Sequence, residues 1–400
     1  MCQPEMRVCG VVAEYDPFHK GHERLLTLIR EQLHPDYILC VLSGCFTQRG
    51  QGALLFPADR AEAALSCGTD VVVELPVPWA VREAEHFALG AVSVLHRMGC
   101  VTDLAFGAET ADLSRLQTVA RLLEQPDERL TAHLREGLDG GLGHPAAMAR
   151  AVENVTDNDT AALLRDPNNI LALCYLRALL RLDSAIAPHA FAREGAAYHD
   201  SAVTDALPSA TAVRGALTRG AWPQAESSLP PSSYALTRRA YAQQRVFRAD
   251  LLDAPLLHLL RTAPEASFAA YAGYDEGLCR RLAEAARRAV SREELLDLAG
   301  TKRYPRARLS RLCTQLLLQL DDTLLRPELL PPYTRLLGFR ASAAPLLRAM
   351  KKGGLPIYEK AADAPRTEPV LQADARAYDL WCLGAGIPAG LLFTQKLVKL

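Results

Sequence analysis

Residues 7–22 read RVCGVVAEYDPFHKGH, and the order of elements in this stretch sets the architecture of the chain. An apolar run over residues 7–14 predicts a buried strand, and the spacing of apolar residues in ERLLTLIREQL, residues 23–33, predicts an amphipathic helix. The polar segment between them, residues 15–22, contains a proline and a glycine and therefore predicts a loop. Strand, loop and helix in this order are typical of a parallel sheet with helices on its faces.

The strand–helix unit recurs along the first quarter of the chain. Further strands are predicted at residues 37–43, 70–76 and 103–109, with helices over residues 57–67 and 81–99. This alternation predicts an α/β fold built on a Rossmann-like parallel sheet. In open sheets of this kind ligands bind beyond the carboxyl ends of the strands, which is where the polar clusters of this sequence fall.

The remainder of the chain is predicted to be mainly helical. Four hundred residues predict two or three domains. Helical periodicity covers about residues 110–180, and a strand-like piece follows at 184–193. The proline-rich segment 222–234 predicts a linker, and leucine-rich helical periodicity dominates beyond it. We therefore predict a first domain over residues 1–225 and a mainly α-helical domain over residues 226–400.

Composition limits the class of protein. The formal net charge is −1, so a nucleic-acid binder of this composition must concentrate its positive charge locally. The ten cysteines show no C-x-x-C spacing, which favours buried reduced thiols over a structural zinc site. No stretch of about 18 uncharged apolar residues occurs. We expect a soluble, cytoplasmic protein without a membrane partner.

The motif His19-Lys20-Gly21-His22 carries the strongest chemical signal. It follows a predicted strand and opens a predicted helix. Two imidazoles, a glycine backbone free of a Cβ and a helix amino terminus together supply donors for the oxygens of a nucleotide's phosphates. The alternative is two surface histidines on a helix.

The runs GVVAEYDPFHKGH, VLSGCFTQRG, LAFGAE, DPNNILALCYLRAL, REGAAYHD, SATAVR and TKRYPRARLSRL occur in this order. As a set they resemble the tRNA(Met) cytidine acetate ligase family over about residues 8–385. The resemblance implies an HxGH nucleotidyltransferase-like, ATP-binding catalytic domain at residues 1–225 and a helical tRNA-binding domain at 226–400. It implies a ligase that uses acetate and ATP, with Mg²⁺ and without acetyl-coenzyme A, to form acetyl-adenylate and pyrophosphate. The acetyl group then passes to the exocyclic amine of the wobble cytidine of elongator tRNA(Met).

The resemblance also implies an ATP site, in which His19 and His22 are catalytic residues on the phosphates and Gly107 lies at the adenosine. Its predicted members are Val12, Ala13, Glu14, Tyr15, Asp16, Pro17, Phe18, His19, Lys20, Gly21, His22, Glu23, Arg24, Leu25, Gly107, Asn168 and Arg193. For Asn168, an N-cap role on the following helix is an equal alternative, and Asn169 could make the contact instead. For Arg193, a surface ion pair is the alternative to a phosphate contact.

Two further sets of residues are candidates for binding phosphate or acetate: Ser209, Thr211 and Arg214 in SATAVR, and Ser43, Gln48 and Arg49 in SGCFTQRG. Hydroxyls before a helix with an arginine one turn in form an anion site, although an ordinary cap with a solvated arginine is the alternative. The second set follows a predicted strand and should face the same crevice. Here the chain has Gln51-Gly52 where the family commonly has Glu-Pro, so it departs from the family in this loop.

A basic segment at residues 301–311 is the local concentration of positive charge, because it contains no acid. Its candidate tRNA-binding residues are Lys302, Arg303, Tyr304, Arg306 and Arg308. Lysine and arginine suit phosphates, and a tyrosine ring suits stacking on a base. A solvated helix face is the alternative.

Several other interpretations stay open at this point. His199 and Asp200 are candidates for a general base in acyl transfer, although leaving-group oxygens could take the proton. The same HxGH chemistry also serves adenylyltransferases that act on small cofactor precursors. A non-catalytic RNA-binding protein that retains a nucleotide fold is a third hypothesis.

Overall fold

The computed structural model of the protein describes residues 6–193, 209–268, 270–271 and 276–400. Eight strands are present in these ranges: Val8–Ala13 (β1), Tyr37–Ser43 (β2), Val71–Leu75 (β3), Asp103–Ala108 (β4), Ala187–Ala192 (β5), Thr334–Phe339 (β6), Ile357–Tyr358 (β7) and Val398–Lys399 (β8).

The α-helices are more numerous than the strands. They are Lys20–Leu33 (α1), Pro57–Ser66 (α2), Val77–Ala80 (α3), Ala84–Arg97 (α4), Leu113–Glu124 (α5), Glu128–Asp139 (α6), His144–Val155 (α7), Asn158–Ala162 (α8), Pro167–Arg181 (α9), Ala210–Thr218 (α10), Trp222–Ser228 (α11), Pro231–Ala242 (α12), Asp253–Thr262 (α13), Glu276–Arg288 (α14), Arg292–Ala299 (α15), Arg306–Leu317 (α16), Ala344–Met350 (α17), Pro369–Ala385 (α18) and Leu391–Thr394 (α19). Short 3₁₀ turns lie at Ala249–Leu252, Glu265–Phe268, Ala341–Ala343 and Ala361–Asp363.

The strands form one sheet in the order β5-β4-β1-β2-β3-β6-β7, with β8 paired to β6. Strands β1 to β5 are parallel, and β1 lies in register with β2 from Val8 opposite Tyr37 to Ala13 opposite Leu42. The predicted fold class is confirmed, because the sheet is a Rossmann-like parallel sheet covered by helices and the residues after 226 are mainly helical.

Alternation along the strands places apolar side chains on both faces of the sheet. Val8 and Leu39 face a core shared with α4, α9 and α18. Cys9 and Ile38 face the opposite core, which α1 and α2 cover. Burial on both faces explains why these strands read as continuous apolar runs rather than as alternating ones. The carboxyl ends of β1, β2, β4 and β5 consequently meet at one edge.

The last part of the chain returns to the sheet, which the sequence analysis missed. Strand β6 pairs antiparallel with β3, and Thr334 Oγ1 donates to Glu74 O at 2.7 Å. The sequence TRLLGF at 334–339 is also compatible with a helix. It forms a strand because it pairs with β3, some 260 residues earlier in the chain. The division at residue 225 stays a prediction.

The prediction of a linker at residues 222–234 is wrong, because this segment forms α11 and the first turn of α12. Pro223 and Pro231 lie in the first turns of these helices and Pro230 is the N-cap of α12, positions where a missing backbone N–H costs nothing. The helices α13 to α16 have a core of their own, which includes Leu256, Leu282 and Leu309. Within the described ranges, no helix is both long and apolar enough to cross a membrane.

Candidate functional site

The predicted ATP-binding stretch from Val12 to Leu25 covers the end of β1, a loop and the first turns of α1. His19 is the N-cap of α1, and its Nδ1 accepts a hydrogen bond from the Gly21 amide at 3.1 Å. His22 Nδ1 in turn accepts from the His19 amide at 3.2 Å. The two histidines thus form a capping box, in which an imidazole takes each place usually filled by a hydroxyl or a carboxylate.

This capping box sets the protonation of both rings. The rings stack at 3.6 Å between centroids, and each Nδ1 serves as an acceptor. A neutral imidazole whose Nδ1 accepts must carry its proton on Nε2. Both histidines therefore offer an Nε2–H donor at the amino terminus of α1, whose Gly21 amide is taken up by His19 Nδ1 and whose His22 and Glu23 amides donate to His19 O.

Both imidazoles are neutral at physiological pH. Burial, with the nearby Arg193 charge, lowers the pKa of His19 to about 3, and His19 is only 2% exposed. Burial also lowers the pKa of the half-buried His22 well below its usual value, with contributions from His19 and Arg193. The site therefore presents uncharged N–H donors, and its positive charge comes from Arg193 and the helix terminus.

The loop before α1 is held in place from several directions. Tyr15 packs edge-on against Phe18 and His22, with ring centroids 4.6 and 4.8 Å apart, and Ser233 Oγ donates to Phe18 O at 2.6 Å. Asp16 accepts a hydrogen bond from the Leu54 amide at 2.7 Å. These contacts order a loop that has no regular structure of its own.

Arg214 does not extend into the crevice as a free phosphate ligand. Its guanidinium pairs with Asp16 and donates to Gly52 O at 3.0 Å. The solvated-arginine alternative is therefore wrong, while a phosphate role for Arg214 stays a prediction. Ser209 is the N-cap of α10 as the sequence suggested, since its Oγ accepts from the Ala212 amide at 3.2 Å, and Thr211 is exposed on the first turn.

Gly107, Asn168 and Arg193 come together at the carboxyl ends of β4 and β5. A Cβ on Gly107 would lie 3.2 Å from Arg193 Cγ, so the glycine lets the arginine side chain cross the strand end. Arg193 Nη1 lies 3.4 Å from Asn168 Oδ1. Because the Arg193 charge lowers the pKa of both histidines, this cluster faces the HxGH loop.

Glu109 organises this cluster, and the sequence analysis missed it. Its carboxylate accepts from Asn168 Nδ2 at 2.6 Å and from the amides of Asn168 and Asn169 at 3.2 and 2.7 Å. The N-cap alternative for Asn168 is wrong, because Asp166 is the N-cap of α9 and Glu109 bonds the free amides. The only signal was its place directly after the strand that contains Gly107.

Asn168 rather than Asn169 faces the cluster. Asn169 is fully buried, and its Oδ1 accepts from the Thr110 amide at 3.0 Å. Its Nδ2 has no partner among the described residues. Asn169 therefore joins the loop after β4 to α9, while Asn168 stays beside Arg193.

The loop after β2 lies against the end of β1. The Gln48 amide donates to Glu14 Oε1 at 2.5 Å, burial raises the pKa of Glu14, and the exposed Arg49 opposes that shift. Ser43 ends β2 with its hydroxyl buried and unpaired within the described chain. Ser43, Gln48 and Arg49 thus lie at the edge shared with the HxGH loop.

Arg60, which the sequence analysis also missed, lies fully buried beneath these two loops. Its guanidinium donates to the carbonyls of Glu14 at 2.5 Å, Leu55 at 3.1 Å and Gly44. One arginine on α2 therefore ties the end of β1 to the end of β2. An arginine in an alanine-rich helix gives no local signal of this role.

The basic segment is less free than its sequence indicates. Arg306 pairs with Glu293 and Asp297, which α15 brings alongside. Tyr304 is buried, and the guanidinium of Arg308 lies 5.4 Å from its ring centroid. This arrangement does not support the predicted stacking of Tyr304 on a base.

The two remaining candidate tRNA-binding residues of the segment, Lys302 and Arg303, are exposed. Arg303 also lies over the Tyr304 ring, at 5.3 Å from its centroid. The candidate bases His199 and Asp200 lie outside the described residues.

The comparisons with known proteins agree with this geometry. A family model described as HIGH Nucleotidyl Transferase matches residues 6–387. The tRNA(Met) cytidine acetate ligase of Fervidobacterium nodosum is 36% identical over 87% of this chain and 82% of its own length. That of Acetivibrio thermocellus is 32% identical over 98% of this chain and 100% of its own length.

This chain belongs to the tRNA(Met) cytidine acetate ligase family. A solved member, Thermotoga maritima TmcAL bound with alpha-thio ATP, superimposes with a TM-score of 0.91 at 31% identity, over 99% of this chain and 100% of that one. The predicted family is confirmed, and with it the enzyme class, a ligase. Membership favours this class over an adenylyltransferase of cofactor precursors or a non-catalytic RNA-binding protein.

Proposed function

We propose that this protein acetylates the wobble cytidine of elongator tRNA(Met) at the expense of ATP, through an acetyl-adenylate. The names of its relatives support the overall reaction. The observation that carries the proposal is the stacked pair of neutral imidazoles, His19 and His22, at the amino terminus of α1. A phosphate chain needs donors of this kind at a helix amino terminus.

In the first step, an acetate oxygen attacks the α-phosphorus of ATP, and the bond to pyrophosphate breaks. Negative charge develops on the phosphate oxygens. The Nε2–H groups of His19 and His22, the guanidinium of Arg193 and the positive end of the α1 dipole would stabilise it. Since both imidazoles are neutral donors, no proton has to leave them during the reaction.

The adenosine would lie over the ends of β4 and β5. Gly107 lets the Arg193 side chain cross the end of β4, and Glu109 holds Asn168 beside that arginine. Arg193 lies between this cluster and the HxGH loop and would reach the phosphates. Residues 12–25, the predicted ATP-binding stretch, would line the side of the crevice opposite the adenosine.

Acetate would occupy the space between the HxGH loop and the loop after β2. The unpaired Ser43 hydroxyl, Gln48 and the Arg49 charge are the candidate contacts. In the second step the cytidine amine attacks the acetyl carbonyl, the bond to AMP breaks, and the departing phosphate oxygen takes the proton. Adenylation supplies the activated acyl group, so acetyl-coenzyme A is not needed.

Magnesium would enter with the nucleotide. Among the described residues, no three His, Cys, Asp or Glu side chains cluster in a way that could hold a metal ion. Mg²⁺ keeps several waters and binds substrate phosphates in many nucleotide sites. Its ligands in this proposal are therefore the phosphates and water.

The proposal divides the work between two parts of the chain. Residues 1–225 would bind ATP and acetate, and residues 226–400 would bind tRNA. Lys302, Arg303 and Arg306 are the exposed members of the predicted tRNA-binding set, and Arg306 is already paired with Glu293 and Asp297. Lys302 and Arg303 are exposed outside that network. They are therefore the members that we retain as candidates for contacting tRNA phosphates.

The test is acetate-dependent exchange between pyrophosphate and ATP, followed by incubation with labelled acetate, ATP and total tRNA. We expect exchange in the absence of tRNA and label in acetylated cytidine after nucleoside analysis. Replacing His19 and His22 together by alanine should depress exchange far more than tRNA affinity. Absence of acetate-dependent exchange in the wild-type protein would exclude the adenylate route.

A further inference from the structure

A cleft of about 530 Å³ lies between the start of α4, helix α16 and the segment after α16. Four arginines and two carboxylates line it: Arg82, Arg308, Arg311, Arg326, Glu83 and Asp322. We name it the arginine cleft. Its lining residues do not belong to the HxGH loop, and one of them, Arg308, lies over the same Tyr304 ring as Arg303.

Part of the cleft is built as a rigid wall. Arg82 is only 5% exposed and donates to Leu325 O at 3.1 Å, which ties the segment after α16 to the start of α4. Burial raises the pKa of Glu83, but the hydrogen bond with His86 and the Arg82 charge outweigh it and lower that pKa to about 2. Glu83 therefore stays ionised and is already engaged.

Two of the arginines are not held by a direct contact. Within the described chain, the side chains of Arg311 and Arg326 make no hydrogen bond and no ion pair. Burial lowers the pKa of Arg311. The charge of Glu83 opposes that shift, and the positive charges of Arg308, Arg49 and Arg82 add to it. The four guanidinium groups outnumber the two carboxylates that line the cleft, so repulsion between positive charges prevails, and an anion in the cleft would relieve it.

The cleft lies beside the catalytic crevice. Gly50, in the loop after β2, packs so tightly on α16 that a Cβ there would lie 2.5 Å from Arg311 Cα. Gly50 O accepts from Thr314 Oγ1 at 2.6 Å and from Arg292 at 2.7 Å. The charge of the adjacent Arg49 influences both Glu14, at the end of β1, and Arg311. One loop therefore separates the proposed acetate pocket from the arginine cleft.

We propose that the arginine cleft binds phosphodiester groups of the RNA substrate next to the cytidine that is acetylated. This inference rests on the proposed function and adds the surface that positions the RNA. A base that enters the crevice must lead its flanking backbone past the loop after β2, and the cleft begins there. A guanidinium group can donate two parallel hydrogen bonds to two oxygens of one phosphate. The volume of the cleft is in the range of sites that bind small ligands the size of a nucleotide.

The experiment compares two double variants of the full-length protein with equal loss of charge. The test variant is Arg311→Gln with Arg326→Gln. The control is Arg129→Gln with Arg348→Gln, because both are exposed and lie on α6 and α17, away from the cleft. A third variant, Arg326→Glu, changes only an exposed side chain and so guards against misfolding at the half-buried Arg311.

The first readout is affinity for transcribed elongator tRNA(Met) over a series of salt concentrations. We expect the test variant and Arg326→Glu to bind roughly tenfold more weakly than the control near physiological salt. The slope of log affinity against log salt should become shallower by about 1 for each lost phosphate contact. Equal affinity and equal slope in test and control variants would overturn the proposal.

The second readout is acetate-dependent exchange between pyrophosphate and ATP without tRNA, which we expect to stay within about twofold of wild type, a difference of roughly 0.4 kcal/mol. A large loss of exchange in Arg326→Glu would assign the cleft to the nucleotide and overturn the RNA assignment. If the wild-type protein shows no exchange, the proposed function fails, while the tRNA titrations still decide whether RNA binds the cleft.

Discussion

The guanidinium of Arg214 pairs with the carboxylate of Asp16, 198 residues earlier in the chain. Asp16 is only 6% exposed and belongs to the loop that leads into the histidine pair. Its other oxygen accepts the Leu54 amide at 2.7 Å. This ion pair therefore connects α10 to the loop that carries the proposed chemistry, and its effect on catalysis would be through positioning.

Replacing Arg214 by glutamine should leave Asp16 charged, nearly buried and without its cationic partner. We expect a loss of about 2–3 kcal/mol in the free energy of unfolding, measured by urea denaturation, together with a raised KM for ATP. The double variant with Asp16→Asn should lose less than the sum of the single variants, because no unpaired charge remains. Strictly additive losses would contradict the coupling.

The two nitrogens of His19 have different roles, and two substitutions separate them. In His19→Asn the amide oxygen can replace Nδ1 as the cap, while the Nε2–H donor is lost. We expect stability within about 1 kcal/mol of wild type but exchange activity lower by about 10²–10³. In His19→Gln, the longer side chain can return a donor near the Nε2 position without capping.

For His19→Gln we therefore expect more exchange activity than for His19→Asn, and lower stability. Exchange kinetics and urea denaturation on both variants provide the measurement. The reverse order in activity would mean that capping, rather than donation to phosphate, is what His19 contributes.

The stability of the protein should fall as the pH is lowered below about 6.5, in part because of the histidine pair. An unfolded histidine titrates near 6.5, while burial lowers the pKa of folded His19 to about 3. Unfolding therefore takes up a proton between these values, so the free energy of unfolding decreases towards acid by up to about 1.4 kcal/mol per pH unit for His19.

His22 should add a contribution of the same sign, since its pKa is also lowered by burial. Urea denaturation at several pH values between about 7 and about 5 measures the slope, with His19→Asn as the comparison. A slope in His19→Asn as steep as that of the wild type would show that folded His19 titrates normally.

Gly50 joins the catalytic loop to α16, and alanine there should destabilise the fold. Its φ is +72°, and a Cβ would lie 2.5 Å from the backbone of Arg311. Gly141 offers a matched control, because its φ is +83° and nothing lies within 4 Å of a Cβ there. Gly141→Ala should cost about 1 kcal/mol from backbone strain alone.

Gly50→Ala should cost at least about 2 kcal/mol more than the control, because neither backbone can move aside without breaking the contacts of Gly50 O. Thermal and urea denaturation of the two variants measure the difference. Equal costs would show that α16 does not press on this loop.

Much of the fold and part of the site could be predicted because their signals are local. The strands β1 to β4 are mostly apolar, with Glu74 in β3 and Asp103 in β4 as the charged exceptions. Helix α1 buries Leu26, Ile29 and Leu33 at helical spacing. The HxGH motif lies between two such elements, so its place at the sheet edge followed from the order of elements. Ser209 as an N-cap was equally a local inference.

The predictions that failed concern partners distant in sequence. The acids that pair with Arg306 lie on a neighbouring helix. Tyr304 is buried, although its own segment is otherwise mostly exposed. Prolines at 223 and 231 suggested a linker, although proline is also common in the first turn of a helix. Local pattern does not distinguish these cases.

Periodicity and one short motif were therefore enough for the class of fold, the location of the crevice and the histidine pair, because each depends on residues within a few positions of one another. Packing between distant segments was needed to pair Arg214 with Asp16, to bring Glu109 onto Asn168 and to add β6 to the sheet. A charged side chain finds its ion-pair partner, and a strand edge its hydrogen-bonding strand, among the residues that lie next to it in space. Which residues those are depends on how the whole chain folds.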